Sequence, residues 1–444
     1  MLGAGRVGLT TALSLAYSGH EVTCIDKRED VLDSIRRGQP TFYEPGVAEL
    51  LGQTNVQFSY PLTPESASAR VLMVAVGTPP LADGRADLSA VESVASDVAS
   101  LLPDGGNTVF TIKSTVPPGT SRWIQNLIDD SLAANNAKVT VAANPEFLRG
   151  SSSLMDTLCP DRIVLGTSDA ASKATLLELY QPIVDQRFVF PAEITRPNRS
   201  RPVPVVTTTP LNAELIKYVS NAFLAARLSF VNEIAGLAER VGGDITQVMY
   251  GVGLDPRIGS SYLAAGVGWG GPCFGKDTSA LLRLAEDNDY DMPVLQSTIA
   301  VNQRQRRAVV EKLERTLGTL QGKTVGLLGL AYKANTGEVH DSPALAVASG
   351  LTAAGARVRG YDPMAEAAAK RWYPHVDIEY SRSALEAAHD CDAVMVMCEW
   401  QEFKELPLPQ LASVMKGKAL LDAKNVLDRR SVEQSGLTYL GMGR

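Results

Sequence analysis

Cys273 stands in a setting suited to covalent chemistry. It stands within the run Gly266-Val-Gly268-Trp-Gly270-Gly271-Pro-Cys273-Phe-Gly-Lys276-Asp277, which leads straight into the helical pattern Thr278-Ser-Ala-Leu-Leu-Arg-Leu. Glycine lets the backbone pass close to a ligand, and a cysteine at or just before a helix N-terminus gains support for its thiolate from the helix dipole and from Lys276. A thiolate is a nucleophile. Asp277, four residues on and on the same helix face, can hold a base or a lysine in position. The plainer alternative is a buried structural cysteine beside a loop. Against it, four glycines in six residues are expected to have little packing value of their own.

In Glu214-Leu-Ile-Lys217-Tyr-Val-Ser-Asn221, Lys217 and Asn221 are four apart and share a helix face, where a lysine beside an amide can hold a developing alkoxide. The alternative is a solvated lysine on an exposed face. Two further loops, Lys113-Ser-Thr115-Val-Pro-Pro-Gly and Asn144-Pro-Glu146-Phe-Leu, each follow a strand pattern, the place where ligands gather in open parallel sheets. The remaining cysteines, Cys24, Cys159, Cys391 and Cys398, are scattered without paired spacings, which argues against a disulfide framework and a structural zinc site. With four histidines in the chain, a histidine-rich metal site has few candidates, so no metal is expected. The chemistry falls to Cys, Lys and carboxylates.

The chain opens on Gly3-Ala-Gly5-Arg-Val-Gly8, followed by a helical run to Gly19 and a strand, Glu21-Val-Thr-Cys-Ile25, ending in Asp26. Such glycines permit a tight turn, close approach of a pyrophosphate and helix-on-strand packing, while the phosphate charge meets the helix N-terminus. Asp26 is placed to bind the adenosine ribose and to repel a 2′-phosphate, which favours NAD over NADP, although Lys27 and Arg28 blunt that preference. Unliganded, the same glycines would make only a tight turn. The strand that should precede Gly3 has only Met1 and Leu2, so either it is clipped or the true start lies upstream.

These residues need elements to position them. At 444 residues, 45% hydrophobic, the chain has room for two or three domains. Apolar runs such as Val71–Val76 and Thr108–Ile112 alternate with helical stretches to about residue 190 and predict parallel βαβ units. Proline-rich residues 196–210 read as a linker. Helical periodicity then dominates to about 318, and strand-like runs return at Thr324–Leu330, Arg357–Tyr361, Ala393–Met397 and Ala419–Leu421. The expected fold is α/β: a Rossmann-like dinucleotide-binding domain (1–195), the linker (196–210), a central helical domain with a long helix and the cysteine loop (211–318), and a C-terminal Rossmann-like domain (319–444). With 42 basic against 49 acidic residues and no run of one sign, neither nucleic acid nor an anionic membrane is expected as partner. No apolar stretch approaches the length of a membrane span, and no signal segment opens the chain, which points to a soluble, cytoplasmic protein.

Taken in order, the motifs resemble the UDP-glucose 6-dehydrogenases within the wider UDP-glucose/GDP-mannose dehydrogenase family. The resemblance runs through the opening glycines, Phe42-Tyr-Glu-Pro-Gly46, Val76-Gly-Thr-Pro79, Ser114-Thr-Val-Pro-Pro-Gly119, Asn144–Leu148, Pro160-Asp-Arg-Ile-Val164 and the Lys217/Asn221 helix. It continues through Asp255-Pro-Arg-Ile-Gly259, the Cys273 loop, Tyr361-Asp-Pro363 and Glu399-Trp-Gln-Glu-Phe403. It implies oxidation of a primary alcohol of a UDP-sugar to a carboxylate with two NAD in turn, through a thiohemiacetal and a thioester on Cys273. Lys217 and Asn221 would stabilise the oxyanion, and Thr115, Glu146 and Asp277 would organise water and protons. The implied NAD contacts are Gly3, Gly5, Arg6, Val7, Gly8, Asp26, Lys27, Thr78, Pro79, Thr115 and Lys276. On the sugar nucleotide they are Glu146, Phe147, Leu148, Lys217, Asn221, Arg257, Tyr262, Gly270, Lys333 and Lys424, with Arg257 reaching the substrate of a neighbouring subunit. A homodimer or higher homo-oligomer built on the long central helix follows from the same resemblance.

Three departures stand out. Gly150 occupies the place of a second glutamate, His340 that of an arginine before Asp341-Ser-Pro343, and Lys424 that of an arginine in a late Asp-x-Arg-Asn pattern. Lysine keeps the charge but loses the bidentate fork. GDP-mannose or a UDP-N-acetylhexosamine is the alternative substrate, and a catalytically impaired binder of NAD and sugar nucleotide the alternative of another class.

Overall fold

The computed structural model of the chain describes residues 1–133, 136–192, 194–197 and 202–444. Two compact units, Met1–Ser220 and Asn221–Arg444, divide the chain, and the boundary falls inside one long helix, Pro210–Val241. At 1.5 Å per residue its 32 residues span about 48 Å.

In the first unit the described strands are β1 (Thr23–Ile25), β2 (Gln57–Ser59), β3 (Val71–Val74), β4 (Asn107–Ile112), β5 (Lys138–Ala143), β6 (Ile163–Gly166) and β7 (Val205–Thr208). Leu2 stands where a first strand would be. It bridges Ile25 and Val74 in parallel, with the Ile25 N–H donating to the Met1 carbonyl and the Ala75 N–H to the Leu2 carbonyl, each at 2.8 Å. The order across this unit is therefore β2-β1-Leu2-β3-β4-β5-β6-β7. Winding reverses between Leu2 and β3, the switch point at which open parallel sheets take their ligands. Val71–Val74 and Thr108–Ile112 are nearly all buried, which is why they read as unbroken apolar runs.

Two expectations change here. β6 runs antiparallel to β5, paired through Ala143 and Gly166, so the sheet is not parallel throughout. The stretch read as a linker also contains β7, which pairs with β6 through the β-branched run Val205-Val-Thr-Thr208, while residues 198–201 lie outside the described ones. A β-carbon on Gly166 would lie 2.7 Å from Ala213, so only glycine lets the start of the long helix settle on β6.

In the second unit the rest of the long helix and the helices Ile245–Gly253, Phe274–Glu286 and Pro293–Leu317 precede a parallel sheet. Its strands are β8 (Thr324–Leu328), β9 (Arg357–Tyr361), β10 (Ile378–Tyr380), β11 (Ala393–Val396), β12 (Ala419–Asp422) and β13 (Thr438–Gly441), in the order β10-β9-β8-β11-β12-β13. This is the doubly wound order of a dinucleotide fold. Val309 and Leu313 of the helix Pro293–Leu317 pack into the same core as Val325, Leu327, Val347 and Leu351. β10 and β13 escape sequence reading because they are edge strands with exposed alternate residues. Among the described residues no helix is long and apolar enough to cross a membrane.

Candidate active site

The glycine loop at the chain's start is shaped by distinct close approaches. A β-carbon on Gly3, whose φ is +105°, would lie 2.6 Å from the Ala75 carbonyl oxygen, and one on Gly8 would lie 1.9 Å from the Gly3 carbonyl oxygen. Gly5, by contrast, has nothing within 4 Å of its β-position. It caps the helix Arg6–Tyr17, whose first turn carries no acidic residue and no side-chain cap, so the amides there suit a phosphate. Asp26 accepts from the Ala4 N–H at 2.8 Å and from the Arg28 N–H at 2.9 Å, which ties the end of β1 to the glycine loop. Arg6 pairs with the buried Glu44 at 2.8 Å. Thr78 donates to the Thr115 carbonyl at 2.8 Å and joins the loops that follow β3 and β4. Lys27 and Pro79 are exposed at the surface, and Val7 is half-buried.

At the ends of β4 and β5 lies a buried charged cluster. Lys217 donates to Glu146 at 2.7 Å, with both side chains under 10% exposed. Burial works against the Glu146 charge, yet Lys217, the Leu148 N–H and Lys113 outweigh it and hold the carboxyl below the usual carboxylate range. Lys113 donates to Asn144 at 3.2 Å, and Tyr180 donates to the same Asn144 oxygen. Burial, helped by Lys217 and opposed by Glu146, brings the Lys113 ammonium down to about 8. A cavity of about 40 Å³ opens among Lys113, Asn144, Glu146, Phe147 and Tyr180, and Arg162 lies over the Phe147 ring at 3.6 Å. Glu214, one turn before Lys217, accepts from the Gly119 and Ser121 N–H groups at 2.6 and 2.7 Å, fixing the loop that carries Thr115 to the long helix.

Gly150 leaves its loop without a second glutamate. Glu44 reaches this loop, accepting from the Ser151 and Ser153 N–H groups at 3.1 and 2.6 Å, and Asp156 accepts from the Arg149 N–H at 2.8 Å. Arg149 turns to Asp156.

In the second unit Cys273 is exposed and caps the helix Phe274–Glu286. Asp277, 1% exposed, accepts from Asn221 at 2.6 Å and from Lys276 at 2.6 Å. The ammonium expected to support the thiolate is thus held by Asp277. The glycines of the loop also correct an expectation, because they have packing value. A β-carbon would lie 2.8 Å from the Ala423 carbonyl oxygen at Gly266, 2.4 Å from the Asn302 oxygen at Gly268, 2.1 Å from the Asp341 carbonyl oxygen at Gly270 and 2.8 Å from the Tyr332 ring at Gly271.

The other expected substrate contacts fall in different surroundings. Lys424 pairs with Glu399 at 2.9 Å and borders a cavity of about 270 Å³ lined also by Ile245, Met249, Tyr250, Leu263 and Ala264. Burial opposes the charge on each partner of that pair, but their mutual attraction keeps Lys424 above and Glu399 below its ordinary range. Lys333 lies half-buried with its ammonium 5.9 Å from the centroid of the Tyr332 ring. Tyr262 takes a left-handed backbone, φ 59°. Arg257 is 87% exposed and pairs with Asp255. His340 pairs with Glu338, and Asp341 receives its arginine from elsewhere, Arg306 of the helix Pro293–Leu317, at 2.7 Å. Among the described residues no group of three His, Cys, Asp or Glu side chains gathers as a metal set.

Residues 1–184, 211–304 and 326–429 match in turn the NAD binding, central and UDP binding domains of the UDP-glucose/GDP-mannose dehydrogenase family. The chain is 39% identical to UDP-glucose 6-dehydrogenase YwqF of Bacillus subtilis, over 100% of this chain and 97% of that one. The chain belongs to this family. It is also 40% identical to a UDP-glucose 6-dehydrogenase of Rhizobium meliloti, covering 100% of this chain and 99% of that one. The solved UDP-glucose dehydrogenase of the archaeon Pyrobaculum islandicum superposes with a TM-score of 0.86 at 35% identity, over 100% and 96% of the two chains. NAD is the family's cofactor, and the open β-position of Gly5 beside uncapped helix amides fits its pyrophosphate.

Sequence reading brought Glu146, Lys217, Asn221, Asp277 and Cys273 forward, placed Lys113 at the head of a loop after a strand without giving it a role, met Glu44 only inside the Phe42–Gly46 motif, and passed over Tyr180, Asn302 and Arg306. A lysine at the end of a central strand was the one available signal, at Lys113. Tyr180 meets Asn144 across 36 residues, a pairing that no local pattern announces.

Proposed function

We propose that this protein oxidises the C6 alcohol of UDP-glucose to the carboxylate through a thiohemiacetal and then a thioester on Cys273. NAD, bound at the Gly3–Gly8 loop, supplies the hydride acceptor for both oxidations. What carries the substrate assignment is full-length identity of 39–40% with two relatives named UDP-glucose 6-dehydrogenase. Cys273, exposed at the start of its helix, adds to the intermediate aldehyde. Lys217, ion-paired with Glu146, stabilises the oxyanion together with Asn221. Glu146, held in its ionised form, takes a proton from the water that hydrolyses the thioester, and Asp277 fixes the Asn221 amide. Thr115 helps to order that water. Lys333 and Lys424 attract the diphosphate, with Phe147, Leu148, Tyr262 and Gly270 around the rest of the substrate and Arg257 reaching a neighbouring subunit.

Cys273→Ser should lose UDP-glucuronate formation altogether, read by chromatography of the product, and undiminished product would overturn the covalent route. A panel of UDP-glucose, GDP-mannose and UDP-N-acetylhexosamines tests the substrate, with the highest kcat/KM expected for UDP-glucose. Binding of UDP-glucose by calorimetry without any rise in NADH absorbance would instead favour the impaired binder.

A further inference from the structure

Trp269, four residues before the cysteine, is gripped from several sides within the second unit. Its N–H donates to Asn302 Oδ1 at 2.8 Å while Asn302 Nδ2 donates back to its carbonyl at 2.9 Å, a two-point clasp of amide on peptide. Arg306 Nη2 donates to the same carbonyl at 2.8 Å. The indole Nε1–H donates to Ser229 Oγ at 2.9 Å, and the Ser229 hydroxyl donates to the Thr298 carbonyl at 2.7 Å. The ring stands edge-on to Phe274, the neighbour of Cys273, with centroids 6.1 Å apart.

A buried tryptophan with its N–H satisfied is ordinary packing. Here the loop from 266 to 271 has neither helix nor strand to pair its backbone, and side chains of two helices supply the partners instead. Gln305 donates to the Gly266 carbonyl at 2.7 Å, and Asn232 accepts from the Gly266 N–H at 2.9 Å. Gly268 and Gly270, on either side of Trp269, are the residues whose β-carbons would strike Asn302 and the Asp341 carbonyl. The clasp by Asn302 thus requires glycine at 268.

We infer that Trp269 is a positioning residue for Cys273: clasped by Asn302 and Arg306 and tied through its indole to Ser229, it fixes the chain entering the thiol and so sets the thiol's direction and reactivity. This rests on the reading of Cys273 as the nucleophile. Because Cys273 is exposed and Cys24, Cys159, Cys391 and Cys398 are buried, iodoacetamide alkylation of the native protein, located by peptide mass mapping, reports on that thiol without turnover. Asn302→Asp turns a carboxylate oxygen toward the Trp269 carbonyl, and Trp269→Phe keeps a ring but loses the indole N–H. Each should lower kcat about 10- to 100-fold, with KM for UDP-glucose and NAD changed less than about threefold, since misplacing a reacting group by about an ångström costs on that order. The pH profile of alkylation should move with kcat, whereas a merely structural role would leave it in place. Should Asn302→Asp fail to fold, Ser229→Ala removes one hydroxyl and carries the same prediction at about threefold. Unaltered kcat and alkylation in folded variants, or kcat and both KM values failing together with an unmoved alkylation profile, would overturn the inference. If Cys273→Ser remains active, the covalent reading fails on its own, and alkylation of the clasp variants still decides whether Trp269 positions the thiol.

Discussion

Glu146 and Lys217 are buried together, and Lys217 is the largest of the influences that offset the burial of the Glu146 charge. Glu146→Gln removes the base assigned to thioester hydrolysis while keeping the shape, and its kcat should fall about 100-fold or more. The acyl-enzyme should then accumulate, seen as added mass on the intact protein after mixing with UDP-glucose and NAD. An equally slow variant without the adduct would place the defect before the thioester. Lys113 carries a second prediction at this scale. Its folded pKa of about 8 lies below its ordinary 10.5, so from pH 8 upward the unfolded chain holds the proton more tightly than the folded one. Burying the charge costs stability below pH 8, and that cost is relieved as the pH rises. Between pH 8 and 9.5 Lys113→Met should lose a gain of about 2 kcal/mol relative to the wild type, measured by urea unfolding at each pH. Equal pH slopes in the two proteins would contradict the assignment. The sequence announced Glu146, Lys217 and Asp277 through spacing on a helix or position after a strand, whereas Lys113 and Tyr180 gain their meaning only when β4, β5 and a later helix converge.

Among elements, the cysteine loop shows where sequence reasoning went astray. Its glycines suggest room for a ligand, but Gly266, Gly268, Gly270 and Gly271 each face protein at a distance no side chain tolerates. Gly270→Ala should therefore lower stability by about 2 kcal/mol and depress turnover. Gly251→Ala is the contrast: it lies exposed in the helix Ile245–Gly253 with nothing within 4 Å, and alanine there should raise stability by about 1 kcal/mol with turnover intact. Thermal unfolding of the two variants distinguishes them. Strands buried on both faces, such as β3, β4 and β11, were legible as apolar runs. Edge strands β7, β10 and β13 were not, because half-exposed strands carry polar residues that read as loop or linker. The reversal at β6 was also hidden, since strand direction is set by the connection rather than by the strand's own residues.

At the scale of the whole molecule the long helix exposes Val219, Phe223, Phe230, Leu237 and Val241, spaced by four and seven residues along one face. Such a stripe calls for cover, and we propose a second copy of the chain, as the resemblance implies. Phe223→Glu with Phe230→Glu should turn a dimer into a monomer in sedimentation velocity at micromolar concentration, and a wild type already monomeric there would refute it. The central claim, however, concerns the reaction. Its most direct test is the number of NADH formed per UDP-glucose consumed by the purified protein with NAD in excess: the account predicts two, and a value of one, with the aldehyde released, would contradict it.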